Sequence, residues 1–223
     1  IEDDQCDDEA RDRNDEAGLR ARLHDAQLLA ERLAVCVGAD DPTPLRLELA
    51  PGGVIDTFAY NGTVPGPLLR LREGRPVSID IRNDTDVDDI IHWHGLYLPS
   101  TADGAMEEGS PMVERGGTQR YTFVAKPAGT RWYHSHDVAG TDPTRSLYAG
   151  LYGFLIVEPT NDPGRYDQEV LLAAHHWQGS WVSMQDIRKG PPPDNGLEVM
   201  YASASFNDKM LGHGEPVRVR EGR

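Results

Sequence analysis

The sequence predicts an all-β sandwich or barrel over residues 42–160, entered through an acidic arm and a short N-terminal helix. Two observations carry that prediction. Apolar and polar residues alternate in short runs, the period of a half-buried strand, and turn-forming pairs separate the runs. Some 110 to 120 residues organised in this way, roughly, describe a single sandwich or barrel.

Residues 1–41 begin with a crowd of Asp and Glu through residue 16, after which Leu19, Leu23, Ala26, Ala30 and Leu33 recur at helical spacing through about Val37. This predicts a solvated arm and an amphipathic helix, both peripheral to any chemistry. From Pro44 the texture changes: Leu45, Leu47 and Leu49 alternate, followed by Val54, Ile55 and Phe58, then Leu69 and Leu71, then Val77, Ile79 and Ile81. Between them stand Pro51-Gly52-Gly53, Asn61-Gly62, Pro65-Gly66-Pro67, Glu73-Gly74 and Asn83-Asp84, residues that fix φ or tolerate its positive values. Further strands are expected over 90–96, 119–124, 130–136 and 153–157.

Residues 161–200 read as a linker holding one strand, Val170–Ala174, and the proline run Pro191–Pro193. Beyond it, Leu69-Arg70-Leu71-Arg72-Glu73-Gly74-Arg75 recurs as Val217-Arg218-Val219-Arg220-Glu221-Gly222-Arg223, and Asn61 is echoed by Asn207 at a similar offset. The repetition predicts that 201–223 is the truncated start of a second domain of the same type, so the chain is expected to be a fragment.

A formal charge of −15 with no local basic stripe argues against nucleic-acid binding and against anionic lipid surfaces. Cys6 and Cys36 are far apart and make no metal-binding or disulfide framework. No run of about 18 apolar residues is present, as a spanning helix requires. No leader is visible either, and no cellular address is read from that.

Four of the eight histidines form two identical spacings, His92-Trp93-His94 and His134-Ser135-His136, each in an expected strand. Residues i and i+2 of a strand share a face, about 6 to 7 Å apart at the backbone. Two such strands side by side gather four imidazoles, a donor set that suits copper, zinc, iron or nickel rather than calcium or magnesium. Buried without a metal, each imidazole would need polar partners, at about 1 to 3 kcal/mol for each one unmet. His175-His176 point to opposite faces and are expected to be structural; His24 and His213 are expected to face solvent. Trp93 and Trp132 are expected to pack beside the histidines.

The segments Tyr60-Asn61-Gly62-Thr63-Val64-Pro65-Gly66-Pro67, His92-Trp93-His94-Gly95, Asp103-Gly104, Trp132-Tyr133-His134-Ser135-His136 and Ala149-Gly150-Leu151-Tyr152-Gly153 occur in the order found in multicopper oxidases. Over residues 44–160 the chain resembles the first cupredoxin domain of that family, which includes laccases, ascorbate oxidase and bacterial copper oxidases. The resemblance implies a cupredoxin-like Greek-key sandwich and copper as the cofactor. It also implies a trinuclear cluster in which His92 binds the type 2 ion and His94, His134 and His136 bind the type 3 pair. Four further histidines would come from other cupredoxin domains of the same protein or from a partner chain. Oxygen would be reduced to water with electrons from a phenolic, ascorbate-like or metal-ion substrate.

Asp103 matches a family carboxylate that helps deliver protons, although an Asp before Gly104 is equally a turn former. The type 1 copper site of the family has no counterpart here, because neither cysteine has histidines at the required spacing. The isolated chain is therefore expected to be inactive. The resemblance also implies a secreted or periplasmic address. Two other readings stay open: a non-catalytic copper-binding module, and a homo-oligomeric assembly like the two-domain laccases, which the length of the loop at 137–149 resembles.

Overall fold

A computed structural model of the chain describes residues 31–37, 45–136, 150–161, 164, 166–183 and 197–220. The strands are β1 (Glu31–Val37), β2 (Leu45–Ala50), β3 (Gly53–Thr57), β4 (Gly66–Arg72), β5 (Pro76–Asn83), β6 (Ile91–His94), β7 (Thr118–Val124), β8 (Gly129–Ser135), β9 (Tyr152–Glu158), β10 (Ala174–Ser183), β11 (Leu197–Phe206) and β12 (Lys209–Met210). A one-turn helix, α1 (Ser100–Asp103), follows β6.

Two sheets face each other. One has the order β1-β5-β7 and the other β4-β9-β8-β6. Alternation places Val77, Ile79 and Ile81 of β5 against Leu69 and Leu71 of β4, Trp93 of β6, Tyr133 of β8 and Leu155 of β9 in one core. Burying an aliphatic or aromatic side chain of this kind contributes roughly 1.5–3 kcal/mol, and that core holds the sandwich together. The fold class is the all-β sandwich expected from the alternating runs.

The helix expected through Val37 is corrected at its end. Glu31–Val37 is a strand, pairing in parallel with β5 from Glu31 opposite Val77 to Val37 opposite Asn83. Leu33, Val35 and Val37 also alternate, and Val35 is fully buried in the main core. An open edge of β5 recruits that alternation, and tertiary pairing overrides the helical spacing. The rest of the acidic arm and expected helix, with Cys6 and His24, lies outside the described residues.

The strand expected inside the linker is corrected as well. The expected strand at Val170–Ala174 begins only at Ala174 and runs to Ser183. Just before it, the Asn207 side chain replaces a neighbouring strand: Ala173 N–H donates to its Oδ1 at 2.9 Å, and its Nδ2 donates to Leu171 O at 3.1 Å. β10 pairs antiparallel with β11 from Ala174 opposite Phe206 to Ser183 opposite Leu197. The proline run at 191–193 lies outside the described residues.

A second core joins the antiparallel pairs β2–β3 and β10–β11 to the sandwich, with Leu47 and Leu49 of β2 packed with Val64, Tyr152 of β9 and Trp177 of β10. Of the repeated sequence only the asparagine echo has a structural counterpart, in two tight turns; residues 69–72 lie in β4, whereas residues 217–220 are exposed and form no strand. Tyr60 bridges Thr63 and Phe206 pairs with Lys209, and in each turn the asparagine has positive φ, 51° at Asn61 and 54° at Asn207. Asparagine tolerates that conformation better than most residues.

Candidate metal centre

β6 and β8 pair antiparallel with His92 opposite His134, Trp93 opposite Tyr133 and His94 opposite Trp132. The register puts Trp93 and Tyr133 into the core and turns the histidines to the other face. All four expected histidines meet there. His92 lies with its ring centre 5.3 Å from His94, 5.3 Å from His134 and 5.2 Å from His136. His94 and His134 are 5.5 Å apart, and His134 and His136 6.1 Å. The tightest group is His92, His94 and His134, which can offer ring nitrogens all within 4.8 Å of one another; His136 sits at its margin.

Hydrogen bonds decide which nitrogen each ring presents. His92 Nδ1 donates to the main-chain carbonyl of Asp103 at 2.7 Å, and His134 Nδ1 donates to Ser135 O at 2.8 Å. Both rings therefore carry no proton on Nε2, the tautomer that a metal needs. His94 Nδ1 and His134 Nε2 approach to 3.3 Å, a contact in which the His94 proton is shared and from which a bound cation would displace it.

Two of the rings, His134 and His94, are also held toward the neutral form. Burial first, then the neighbouring imidazoles, push His134 down to about 4, against a weaker upward pull from its bond to Ser135 O. His94 is lowered too, by desolvation and then by His92 and His136. Imidazoles crowded on one face, with the Nδ1 protons of His92 and His134 committed to carbonyls, fit a copper ion or ions.

Asp103 is in place, but its nearest contact with the cluster is not its carboxylate. Its Oδ1 is 3.8 Å from His92 Nδ1, whereas its carbonyl makes the bond. That carbonyl is aimed by α1, which ends in Gly104 at φ +86°, where an added Cβ would stand 2.0 Å from Ile91 O. Ser110 Oγ completes the turn, accepting from Gly104 N–H at 2.8 Å and donating to Ser100 O. The buttress was not found in the sequence; Pro99 and Gly104 flanking four residues were its one local signal.

Trp132 flanks the cluster, its ring centre 4.1 Å from His134 and 4.8 Å from His94. It also lines a cleft of about 580 Å³ with Tyr152 and His175. His175 does not join the cluster: it stacks on Tyr152 at 4.8 Å and 8° and meets Trp177 edge-on at 4.3 Å. His176 and His213 are exposed.

An all-β sandwich with imidazoles gathered on one face of two paired strands presents a donor set that suits a transition metal. The multicopper oxidase family profile matches residues 48–162, and the chain belongs to the multicopper oxidase family. It is similar to copper resistance protein A of Pseudomonas syringae pv. tomato, 39% identical over 54% of this chain and 19% of that protein. It is 30% identical to multicopper oxidase MmcO of Mycobacterium tuberculosis over 72% of this chain and 31% of that protein. Among solved structures, the multicopper oxidase mgLAC superposes with a TM-score of 0.70 at 25% identity, covering 87% of this chain and 58% of that one. The blue copper oxidase of Nitrosomonas europaea gives 0.65 at 29%, with the same two coverages, 87% and 58%. The sandwich is thus cupredoxin-like, and the chain spans 19% and 31% of the length of the two named curated relatives.

Proposed function

We propose that the chain contributes His92, His94, His134 and His136 to a trinuclear copper cluster of type 2 and type 3 ions at which oxygen is reduced to water. The observation that carries this is the group of three imidazoles whose donor atoms lie within 4.8 Å, with His136 beside them. Bound copper supplies the one-electron steps that zinc cannot. His92 and His134 present Nε2 because their Nδ1 protons are held by carbonyls. Asp103, partly exposed beside His92, holds and passes protons at Oδ1, since oxygen reduction consumes them.

The remaining ligands, the type 1 copper and the pocket for a phenolic, ascorbate-like or metal-ion reductant are assigned to other cupredoxin domains of the protein or to a partner chain. The matching turns at Asn61 and Asn207 support a second cupredoxin-like unit that includes 201–223. A secreted or periplasmic address goes with this reading. Among the described residues no helix is long and apolar enough to cross a membrane.

The test is copper loading of the full-length protein with oxygen uptake on a phenol. His94→Ala and His136→Ala are expected to abolish oxygen uptake and remove copper while leaving the blue absorption of a distant type 1 site. Copper binding without oxygen uptake by the wild type would favour a non-catalytic copper module. Unchanged copper content in both variants would overturn the ligand assignment.

A further inference from the structure

Behind the histidines, on the core side of the same strands, lies a carboxylate that the proposed chemistry does not use. Asp89 is only 4% exposed and precedes β6 by two residues. Its main chain bridges Val113, with Asp89 N–H donating to Val113 O at 3.0 Å and Val113 N–H to Asp89 O at 2.8 Å. Its Oδ1 accepts two further bonds, from Ile90 N–H at 2.8 Å and from Ser135 Oγ at 2.6 Å. Asp89 also lies by Tyr60, whose phenol is pushed well up, by burial first and then by that carboxylate.

Ser135 is the residue between His134 and His136. It is wholly buried and stands opposite Ile91. One step beyond the last ladder pair, His136 N–H donates to Ile90 O at 2.8 Å. One carboxylate oxygen therefore binds the histidine-bearing strand on one side and the hydroxyl between the two facing histidines on the other. A slip of one residue between β6 and β8 would send one pair of imidazoles into the core. A bond from a fixed carboxylate to Ser135 opposes that slip where main-chain pairing ends.

We infer that Asp89 is a positioning residue for the copper cluster, holding His134 and His136 in register with His92 and His94 through its hydrogen bond to Ser135. This rests on the proposed copper-ligand role of the four histidines. Nothing in the local sequence marks it, because an Asp in the acidic run Asp84-Thr85-Asp86-Val87-Asp88-Asp89 looks like any solvated turn residue. Only burial separates Asp89 from its neighbours.

The experiment titrates Cu(II) into the copper-free full-length protein and records affinity, copper per chain and the Cu(II) EPR spectrum, beside the melting temperature of the copper-free form. Asp89→Ala and Ser135→Ala are each expected to weaken copper binding about 10- to 100-fold, the usual range for supporting contacts, and to alter the EPR spectrum. The double variant should lose no more than the worse single one, since both break the same bond. Asp89→Asn, which keeps Oδ1 as an acceptor, should recover most of the affinity.

Ser205→Ala serves as the comparison. It removes another buried hydroxyl, the acceptor of Trp177 Nε1–H at 2.7 Å, on a strand that bears none of the four histidines, and should lower only the melting temperature. If Asp89→Ala does not fold, Ser135→Ala carries the test alone. Wild-type-like affinity and spectrum in a folded Asp89→Ala or Ser135→Ala protein, or equal copper loss in Ser205→Ala, would overturn the positioning role while leaving the copper assignment intact. A wild type that binds no copper would overturn the copper assignment and this role with it.

Discussion

His92 and His94 on β6 are separated by one residue, whereas His175 and His176 on β10 are adjacent, and the two segments end in different surroundings. The spaced pair shares a face, meets its counterpart on β8 and forms a group of nitrogens within 4.8 Å. The adjacent pair is divided, with His175 stacked between aromatic neighbours and His176 exposed. In a pleated strand one intervening residue is the difference between a shared ligand surface and two unrelated side chains. The comparison also shows that proximity to aromatic rings does not distinguish the two: Trp132 lies against His134 as closely as Trp177 lies against His175. What distinguishes them is that the cluster histidines face one another.

The largest expected effect comes from breaking the first region from behind. Gly104→Ala places a Cβ 2.0 Å from Ile91 O at a backbone with φ +86°, and should cost about 3 kcal/mol or more. It should also weaken Cu(II) binding, because the Asp103 carbonyl that orients His92 must move. Urea unfolding and copper titration of the variant check both; a stable variant with unchanged copper affinity would show that the buttress is dispensable.

Acid provides the next contrast. His134 has a folded-state value of about 4, below the ordinary imidazole value, so the unfolded chain binds the additional proton between the two. The copper-free protein should hold this contribution in full above about pH 6.5 and lose it as the pH falls toward 4, at up to about 1.4 kcal/mol per pH unit for one proton. Urea midpoints at pH 7 and pH 5 measure it, and His134→Ala should flatten the dependence. An equally steep dependence in that variant would place the proton elsewhere.

The smallest effect is expected in the second region. His175→Ala removes a stacked ring from the smaller core and should cost about 1 kcal/mol while leaving copper affinity unchanged. A loss of copper affinity in this variant would join the two regions functionally and erase the contrast.

Much of this architecture was legible in the chain. The alternating runs around Val77-Ile79-Ile81 and Leu69-Leu71 gave the sandwich because side-chain period in a strand is a local property. The two His-x-His spacings gave a shared ligand face for the same reason. At Leu33-Ala34-Val35 helical and strand periods coincide over a few residues, and the free edge of β5 decides between them. The extent of β10 was misread because Asn207, distant in sequence, supplies the hydrogen bonds that hold Leu171 and Ala173 outside a sheet.

The strand faces, the pairing of the four imidazoles and the family could be read along the chain, since each depends on spacing and order. Tertiary structure alone decided that His92 leans on the Asp103 carbonyl, that Gly104 must pass beside Ile91, and that Asp89 is buried on Ser135. These depend on contacts between segments brought together by folding, and hydrogen bonds of that kind leave no periodic trace in the sequence.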